Sequence, residues 1–433
     1  MNYIAEAEEL NTLLEGTIAG RFLSSLGRRL YFPRGIIAQS AEAKKSAYMA
    51  NASIGMAYRN GRPLILSAMA DSMPTLGPEE IVAYAPTAGV EETRYSWKQR
   101  MLQHNPTLDA EQISLPVVVP GLTAGISYTA DLFLDEGNTI ITSYPCWDNY
   151  GLIFQERRGG TTKAIPFFGA GPGLDIDAIA QALKEEARGG AARIILNFPN
   201  NPSGYAPTHD EVDALVALVA EIADGGADVL VLCDDAYFGL FYEDSVSRES
   251  LFARLSTLHE RVLAIKIDGP TKEDYVWGLR IGFVTLGSRG LDARHYDALE
   301  KKYLGVIRSS VSCANTPAQY LMMKTIKDAR TIGERQQYYA LLKSRYEAAR
   351  RFVNETPPNP RLRPLPFNSG YFMSFRCVGI SAGALRLELL NKHGIGTIAF
   401  GDEFLRVAFA GLEAELIPTV YQTIYQVASG LQP

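Results

Sequence analysis

Between about residues 116 and 284, short apolar runs alternate with longer stretches of helical periodicity, and this constrains the fold more than any other feature. The runs are Pro116-Val-Val-Val-Pro, Thr139-Ile-Ile-Thr, Arg193-Ile-Ile-Leu-Asn, Asp228-Val-Leu-Val-Leu-Cys and Arg261-Val-Leu-Ala-Ile-Lys-Ile. They read as strands that are apolar on both faces. Segments such as 123–134 and 210–223 read as the helices between them. Strands of this kind, separated by helices, build an α/β fold with a mainly parallel central sheet flanked by helices. Ligands of such open sheets bind at the carboxyl ends of the strands, which is where chemistry is to be sought.

After Ser310 the pattern changes. A helical stretch over 318–353 is broken by Pro357-Pro-Asn-Pro and Pro364-Leu-Pro, and strand-like Ser369-Gly-Tyr-Phe-Met-Ser-Phe and Phe404-Leu-Arg-Val-Ala-Phe follow. A chain of 433 residues exceeds one ordinary core. The expected division is a large domain over 61–320 and a smaller α+β domain over 321–433, joined by the N-terminal segment 1–60. No internal repeat or low-complexity tract interrupts it.

Composition narrows the function classes. The net charge of −6 comes without any Lys/Arg block, so no nucleic-acid footprint is expected. Cys146, Cys233, Cys313 and Cys377 lie far apart, which suits neither a disulfide framework nor a metal site and fits a reducing cytoplasm. The acidic start Met1-Asn-Tyr-Ile-Ala-Glu-Ala-Glu-Glu is not a signal peptide. No apolar run reaches the roughly 18 residues a membrane helix needs, so a soluble cytoplasmic protein is expected.

Four features at strand ends carry candidate chemistry. Lys272, in Gly269-Pro-Thr-Lys, follows the strand ending at Ile267, and Arg280 lies eight residues on. A lysine attacks carbonyls only as the free amine, so a catalytic one needs a site that lowers its pKa or binds it as an imine. Arginine offers a rigid fork for phosphate oxygens. Asp234-Asp-Ala-Tyr closes the strand Val229-Leu-Val-Leu-Cys. A buried acid there needs a partner, such as a pyridinium N–H, although a helix N-cap is the alternative. Tyr237 could reach a cofactor oxygen or sit in the core. Asn197-Phe-Pro-Asn-Asn-Pro-Ser-Gly is either a binding loop or simply a turn. Gly121-Leu-Thr stands between a strand and a helix, where backbone N–H groups make a phosphate site.

The order of these features is more telling than any one of them. Gly121-Leu-Thr, Pro145-Cys-Trp, Asn201-Pro-Ser-Gly, Asp234-x-Ala-Tyr, Lys272 with Arg280, and Arg406 succeed one another as in the aspartate aminotransferase family. Ile54-Gly-Met-Ala-Tyr-Arg, Tyr84-Ala-Pro-Thr-Ala-Gly, Trp147-Asp-Asn-Tyr-Gly-Leu-Ile-Phe and Arg406-Val-Ala-Phe-Ala-Gly extend the likeness along nearly the whole chain. The sequence thus resembles the class I aminotransferases of fold type I, which use pyridoxal 5′-phosphate (PLP).

That resemblance implies the following roles. Lys272 holds PLP as a Schiff base and then shuttles a proton. Asp234 pairs with the ring nitrogen, Tyr237 and Asn201 bond the ring oxygen, and Trp147 stacks on the ring. Gly121, Leu122, Thr123, Thr271 and Arg280 hold the phosphate. Tyr84 reaches the phosphate of a neighbouring subunit, which implies a homodimer with shared sites. Arg406 clamps the substrate carboxylate, with Asn201 and the Gly55 backbone assisting. Arg308 lies near where dicarboxylate-specific relatives place a second arginine across the dimer, although alignment by Asn315 puts Ser310 there and leaves Arg308 closing a helix.

Three positions depart from the family pattern: Gly269 stands where a serine is usual, Asn200 precedes Asn201, and Tyr150 replaces a common histidine. The implied reaction is transfer of an amino group between an amino acid and a 2-oxo acid. The same scaffold also serves lyases and decarboxylases, which share the lysine chemistry. A non-catalytic regulator would need an added DNA-binding module that the chain has no basic region to supply, and a decayed site would lack residues that are all present.

Overall fold

Four of the five apolar runs form the middle of one seven-stranded sheet, and the first run, at Val117–Val119, forms one edge. In the computed structural model, which describes residues 3–431 except 16, 18–22, 24, 32–34 and 170, its strands are β1 (Val117–Val119), β2 (Thr139–Tyr144), β3 (Thr161–Pro166), β4 (Ala191–Asn197), β5 (Asp228–Asp234), β6 (Val262–Asp268) and β7 (Gly282–Gly287). Parts of the expected 1–60 segment therefore lie outside the described residues. The spatial order is β1-β7-β6-β5-β4-β2-β3. All neighbours are parallel except those of β7, which runs antiparallel to β1 and β6. The α/β architecture read from the sequence is therefore the one observed, with β3 and β7 added.

The middle strands are buried because helices cover both faces. Val231, Leu232, Ile265 and Ile267 have no exposed surface, and each such side chain contributes about 1.5–3 kcal/mol when buried. Helix starts follow local signals. Thr208 accepts from the Glu211 N–H while Glu211 accepts from the Thr208 N–H, which opens the helix His209–Asp224 with two donors satisfied. Gly121 precedes helix α2 (Leu122–Phe133) at φ 88°. Helix α1 (Glu91–His104) packs Trp97 flat on Phe283 of β7, ring centroids 4.4 Å apart.

The C-terminal part forms a second, antiparallel sheet of β8 (Leu362–Pro364), β9 (Met373–Cys377), β10 (Ile398–Phe400) and β11 (Phe404–Val407), in the order β8-β9-β11-β10. The helical stretch expected over 318–353 is two helices, Thr316–Lys327 and α3 (Arg330–Glu355). Asp328 is extended between them and its carboxylate accepts from the Arg330 N–H, restarting the helix. The strand expected from Ser369 begins only at Met373. The reason is local: Asn368 and Ser369 donate their N–H groups to Gly204 O, 2.9 and 2.8 Å, instead of to a neighbouring strand. That detour docks the loop after β4 onto the chain leading into β9. The chain's beginning joins this half. Ala50–Asn51 pairs in parallel with Ile395–Gly396, and the Gln39 amide bonds both the N–H and the C=O of Ala399.

Candidate active site

Three parallel strands deliver side chains to one spot. Asn197 ends β4, Asp234 ends β5, and the chain beyond β6 turns through Gly269 to Lys272. With the start of α2 they enclose a cavity of about 130 Å³ lined by Leu122, Thr123, Trp147, Asn201, Asp234, Tyr237, Thr271, Lys272 and Arg280, together with Ile126, Asn197 and Ala236. Nine residues singled out from the sequence thus meet in one cavity, at the strand ends where it was sought.

At one end of the cavity sits a cradle for an anion. The first N–H groups of α2, on Leu122 and Thr123, have no partner within the helix. A Cβ built on Gly121 would stand 2.4 Å from Arg280 Nη2. Glycine is therefore required here twice over, for its positive φ and for the close approach of the guanidinium. Gly269 has a similar explanation. A Cβ there would lie 3.0 Å from both the Gly282 Cα and Leu122 Cδ1, so a serine would have to push these neighbours back by a few tenths of an ångström, and Thr271 is the hydroxyl at the cavity wall.

At the other end lies Asp234, 4 % exposed. Burial raises its pKa, and the Tyr150 hydroxyl, donating to Oδ2 at 2.5 Å, works against that rise. Oδ1 accepts from the Ala236 N–H at 3.2 Å. Asn197 Nδ2 donates to the Asp234 carbonyl at 2.8 Å, so the carboxylate is steadied through its own backbone. Tyr150, noticed in the sequence only as a departure from histidine, is thus the acid's hydrogen-bond partner. The rings of Trp147 and Tyr150 meet at nearly a right angle, centroids 5.5 Å apart.

The cations show which residues await a ligand. Arg100 and Arg345 are buried, and each has a carboxylate partner, Asp274 at 2.6 Å and Glu413 at 2.8 Å. Lys266, 1 % exposed, pairs with Asp235 and, at 3.4 Å, with Asp268. Burial works against its charge, but these two carboxylates outweigh it and hold its pKa above the ordinary value. Lys272 has no carboxylate at ion-pair distance among the described residues, and burial lowers its pKa to about 8. Its Nζ stands 4.8 Å from the Tyr237 ring centre. Arg406, 2 % exposed, donates among the described residues to neutral oxygens, Asn201 Oδ1 and Ser53 O, both at 2.9 Å. Its Nε has no partner and burial lowers its pKa to about 10. A buried cation without a close counter-charge is costly, and an anion bound beside Arg406 would offset that cost.

Gly55 lies beside this group, its position facing Phe372 and the Tyr237 hydroxyl, but the backbone oxygen that Arg406 bonds belongs to Ser53. Tyr84 and Arg308 are not brought to the cavity of their own chain. Tyr84 is 91 % exposed, and Arg308 is exposed at the end of the helix Ala293–Arg308. Among the described residues, no group of three or more His, Cys, Asp or Glu side chains could hold a metal ion, and no helix is long and apolar enough to cross a membrane.

The cavity suits PLP on its own chemistry: an anion cradle at one end, a buried acid at the other, and between them an amine whose pKa burial has brought down. Comparison with known proteins agrees. A family model described as "Aminotransferase class I and II" matches residues 57–424. The chain is 22 % identical over 340 residues to a Bacillus subtilis protein named "Probable N-acetyl-LL-diaminopimelate aminotransferase", covering 77 % of this chain and 78 % of that one. It is 24 % identical over 353 residues to "Probable aspartate/prephenate aminotransferase" of Aquifex aeolicus, covering 77 % and 80 %. The crystal structure of an aminotransferase from Anaerococcus prevotii superposes with a TM-score of 0.81 at 24 % identity, over 92 % of this chain and 96 % of that one. The chain belongs to the class I and II aminotransferase family and is a PLP-dependent enzyme that transfers amino groups between amino acids and 2-oxo acids.

Proposed function

We propose that Lys272 is the cofactor-bearing lysine and the base that moves the proton at the substrate Cα. The observation that carries this reading is that Lys272 lines the cavity without a carboxylate partner, whereas Lys266 is neutralised twice over. Leu122, Thr123, Gly121, Thr271 and Arg280 would hold the phosphate, and Asp234 the ring nitrogen. Trp147 would cover the ring face, and Tyr237 with Asn201 would bond its oxygen. When bound, PLP supplies an electron-poor ring that takes up the electron pair left as Cα loses its proton. Tyr150 keeps Asp234 oriented toward that nitrogen. Arg406 would receive the substrate α-carboxylate, with Asn201 and the Ser53 carbonyl fixing the guanidinium plane and Gly55 leaving space beside it.

Stopped-flow mixing of holoenzyme with a panel of amino acids tests the reaction. The cofactor's visible absorbance should change with the preferred donor, releasing one equivalent of the matching 2-oxo acid. Release of ammonia or carbon dioxide instead would favour a lyase or a decarboxylase.

A homodimer is part of the same reading. Met73, Ile81, Val82 and Tyr84 are large apolar residues exposed close together in sequence, which supports an interface there. Tyr84 serves a site only if a second copy supplies one. Mixing inactive Tyr84→Ala and Lys272→Ala subunits should then restore activity, because each hybrid contains one intact composite site. No recovery in verified heterodimers would mean a site built from a single chain. Arg308 stands exposed at the end of its helix, as a helix-closing arginine would and as a residue offered across a dimer also would. Arg308→Ala decides: a far larger loss of kcat/KM for aspartate and glutamate than for neutral donors would assign it to a distal carboxylate, and equal losses would assign it to the helix end. The pairing of 50–51 with 395–396 supports grouping the N-terminal segment with the C-terminal domain. Four free cysteines support a reducing compartment, the cytoplasm.

A further inference from the structure

The lysine stands on a short loop that is pinned at both ends by a buried charge network. At the near end, Asp268 closes β6 and accepts from Trp97 Nε1 at 2.9 Å, with Lys266 Nζ at 3.4 Å on its other oxygen. Lys266 also pairs with Asp235, the residue after Asp234, so the same network touches the segment that carries the acid. Beyond Lys272 come two acids, Glu273 and Asp274, and both turn to arginines. Arg100 of α1 bonds Asp274 through Nη1 at 2.6 Å and Nη2 at 3.1 Å, and reaches Glu273 with Nη2 at 2.7 Å. Arg335 of α3 adds a bond from Nε to Asp274 Oδ1 at 2.7 Å. The Arg100 guanidinium lies 5.1 Å from the Trp97 ring centre, which joins the two ends into one structure.

The loop between these anchors is not a relaxed one. Tyr275 is a non-glycine residue at φ 60°, a conformation that persists only where surroundings impose it. The Asp274 N–H bonds Pro270 O and the Val276 N–H bonds Thr271 O, which wraps the backbone around the lysine. The Tyr371 hydroxyl donates to the Lys272 carbonyl at 2.8 Å. Nothing in the binding of cofactor or substrate uses Arg100, Arg335, Glu273 or Asp274. Their charges are spent on the two residues that directly follow Lys272.

We propose that Arg100 and Arg335, by clamping Glu273 and Asp274, are positioning residues that aim the Lys272 amine at its point of proton transfer. Bidentate and bridging arginine contacts fix direction as well as distance. Proton transfer responds steeply to direction, since a misplacement of about 1 Å can cost on the order of 100-fold in rate. The inference rests on Lys272 being the cofactor lysine.

The test uses Arg335→Gln holoenzyme, because Arg335 is the less buried of the two arginines, its side chain 23 % exposed against 6 % for Arg100. The kcat for the preferred donor should fall roughly 10- to 100-fold while KM stays within about threefold. The pH titration of the cofactor's visible band should move upward by half a unit or more, because a loosened loop lets water reach the lysine nitrogen and eases its charging. Amide hydrogen exchange over residues 269–279 should quicken, and Arg335→Lys, which keeps the charge and one bond, should recover most of each change. A loss of activity that merely follows a loss of folded protein, with titration and exchange unmoved, would overturn the proposal. So would wild-type values throughout. If Arg335→Gln does not accumulate as folded holoenzyme, Glu273→Gln decides by the same readouts. Borohydride reduction and peptide mapping of the wild type separate the two levels. A pyridoxyl group on another lysine removes the premise, whereas one on Lys272 with neutral clamp variants removes this inference alone.

Discussion

Lys272→Ala is expected to lower kcat by at least about 10⁴-fold, the scale on which enzymes lose rate when a residue that is both covalent anchor and base is removed. After borohydride reduction of wild-type holoenzyme, peptide mapping should find the pyridoxyl group on Lys272, and the variant should yield no such adduct. Lys266 is the instructive rival. It lies two residues before the end of β6 and is the more buried of the two lysines, but its amine is held as a cation by Asp235 and Asp268. A charged amine has no lone pair to offer a carbonyl. Lys272 does, because burial lowers its pKa to about 8. The sign follows from that shift. Reconstitution of apoenzyme with PLP should accelerate as pH rises and the free amine accumulates, reaching half its maximal rate near pH 8. A midpoint near that of an ordinary lysine, above 10, would show that the amine is open to water.

Asp234→Ala should still bind PLP through the phosphate cradle and Lys272, but lose about 10³-fold in kcat, close to 4 kcal/mol on the barrier. The loss should fall on proton abstraction and appear as a slowed, isotope-sensitive step with deuterated substrate, because the ring is no longer held as the better electron sink. Asp235→Ala separates the adjacent acids. Asp235 accepts from Ser250 Oγ at 2.6 Å and pairs with Lys266, so its loss leaves a buried cation short of one partner. That variant should lose about 3–5 kcal/mol of stability, while the fraction that remains folded keeps most of its kcat. If Asp235→Ala were the more damaged of the two in kcat, with folding intact, the acid would have been assigned to the wrong residue.

The two aspartates also show how far a sequence can be read. Neighbours on a strand point to opposite sides, so one of the pair had to face away from the other's surroundings. Which one faces the cavity depends on what lies on each side. Tyr150 bonds Asp234 from 84 positions away, while Lys266 and Ser250 meet Asp235 on the other side. Tyr150 itself carries no local signal. A tyrosine in Trp147-Asp-Asn-Tyr reads only as a departure from histidine until its hydroxyl is seen 2.5 Å from a buried carboxylate. Arg100 and Arg335 are harder still, lying on helices about 170 residues before and 60 residues after their common partner Asp274. Ordinary helical arginines are surface charges, and nothing in the periodicity of α1 marks Arg100 as buried.

The sequence by itself determined the alternation of apolar strands with helices, hence a mainly parallel sheet and a site at its carboxyl edge. It also determined the order in which a glycine turn, an acid, a lysine and two arginines arrive there. These are properties of residue type and spacing, which local backbone geometry and hydrophobic burial translate directly into strands, helices and turns. The tertiary structure alone decided which charges are answered and which are left waiting. Lys266, Arg100 and Arg345 are matched by carboxylates, whereas among the described residues no carboxylate forms an ion pair with Lys272 or Arg406. Such matching depends on strand register and on helices crossing from distant parts of the chain. The low-polarity interior then makes each unmatched charge expensive enough to be worth keeping only where a ligand will meet it.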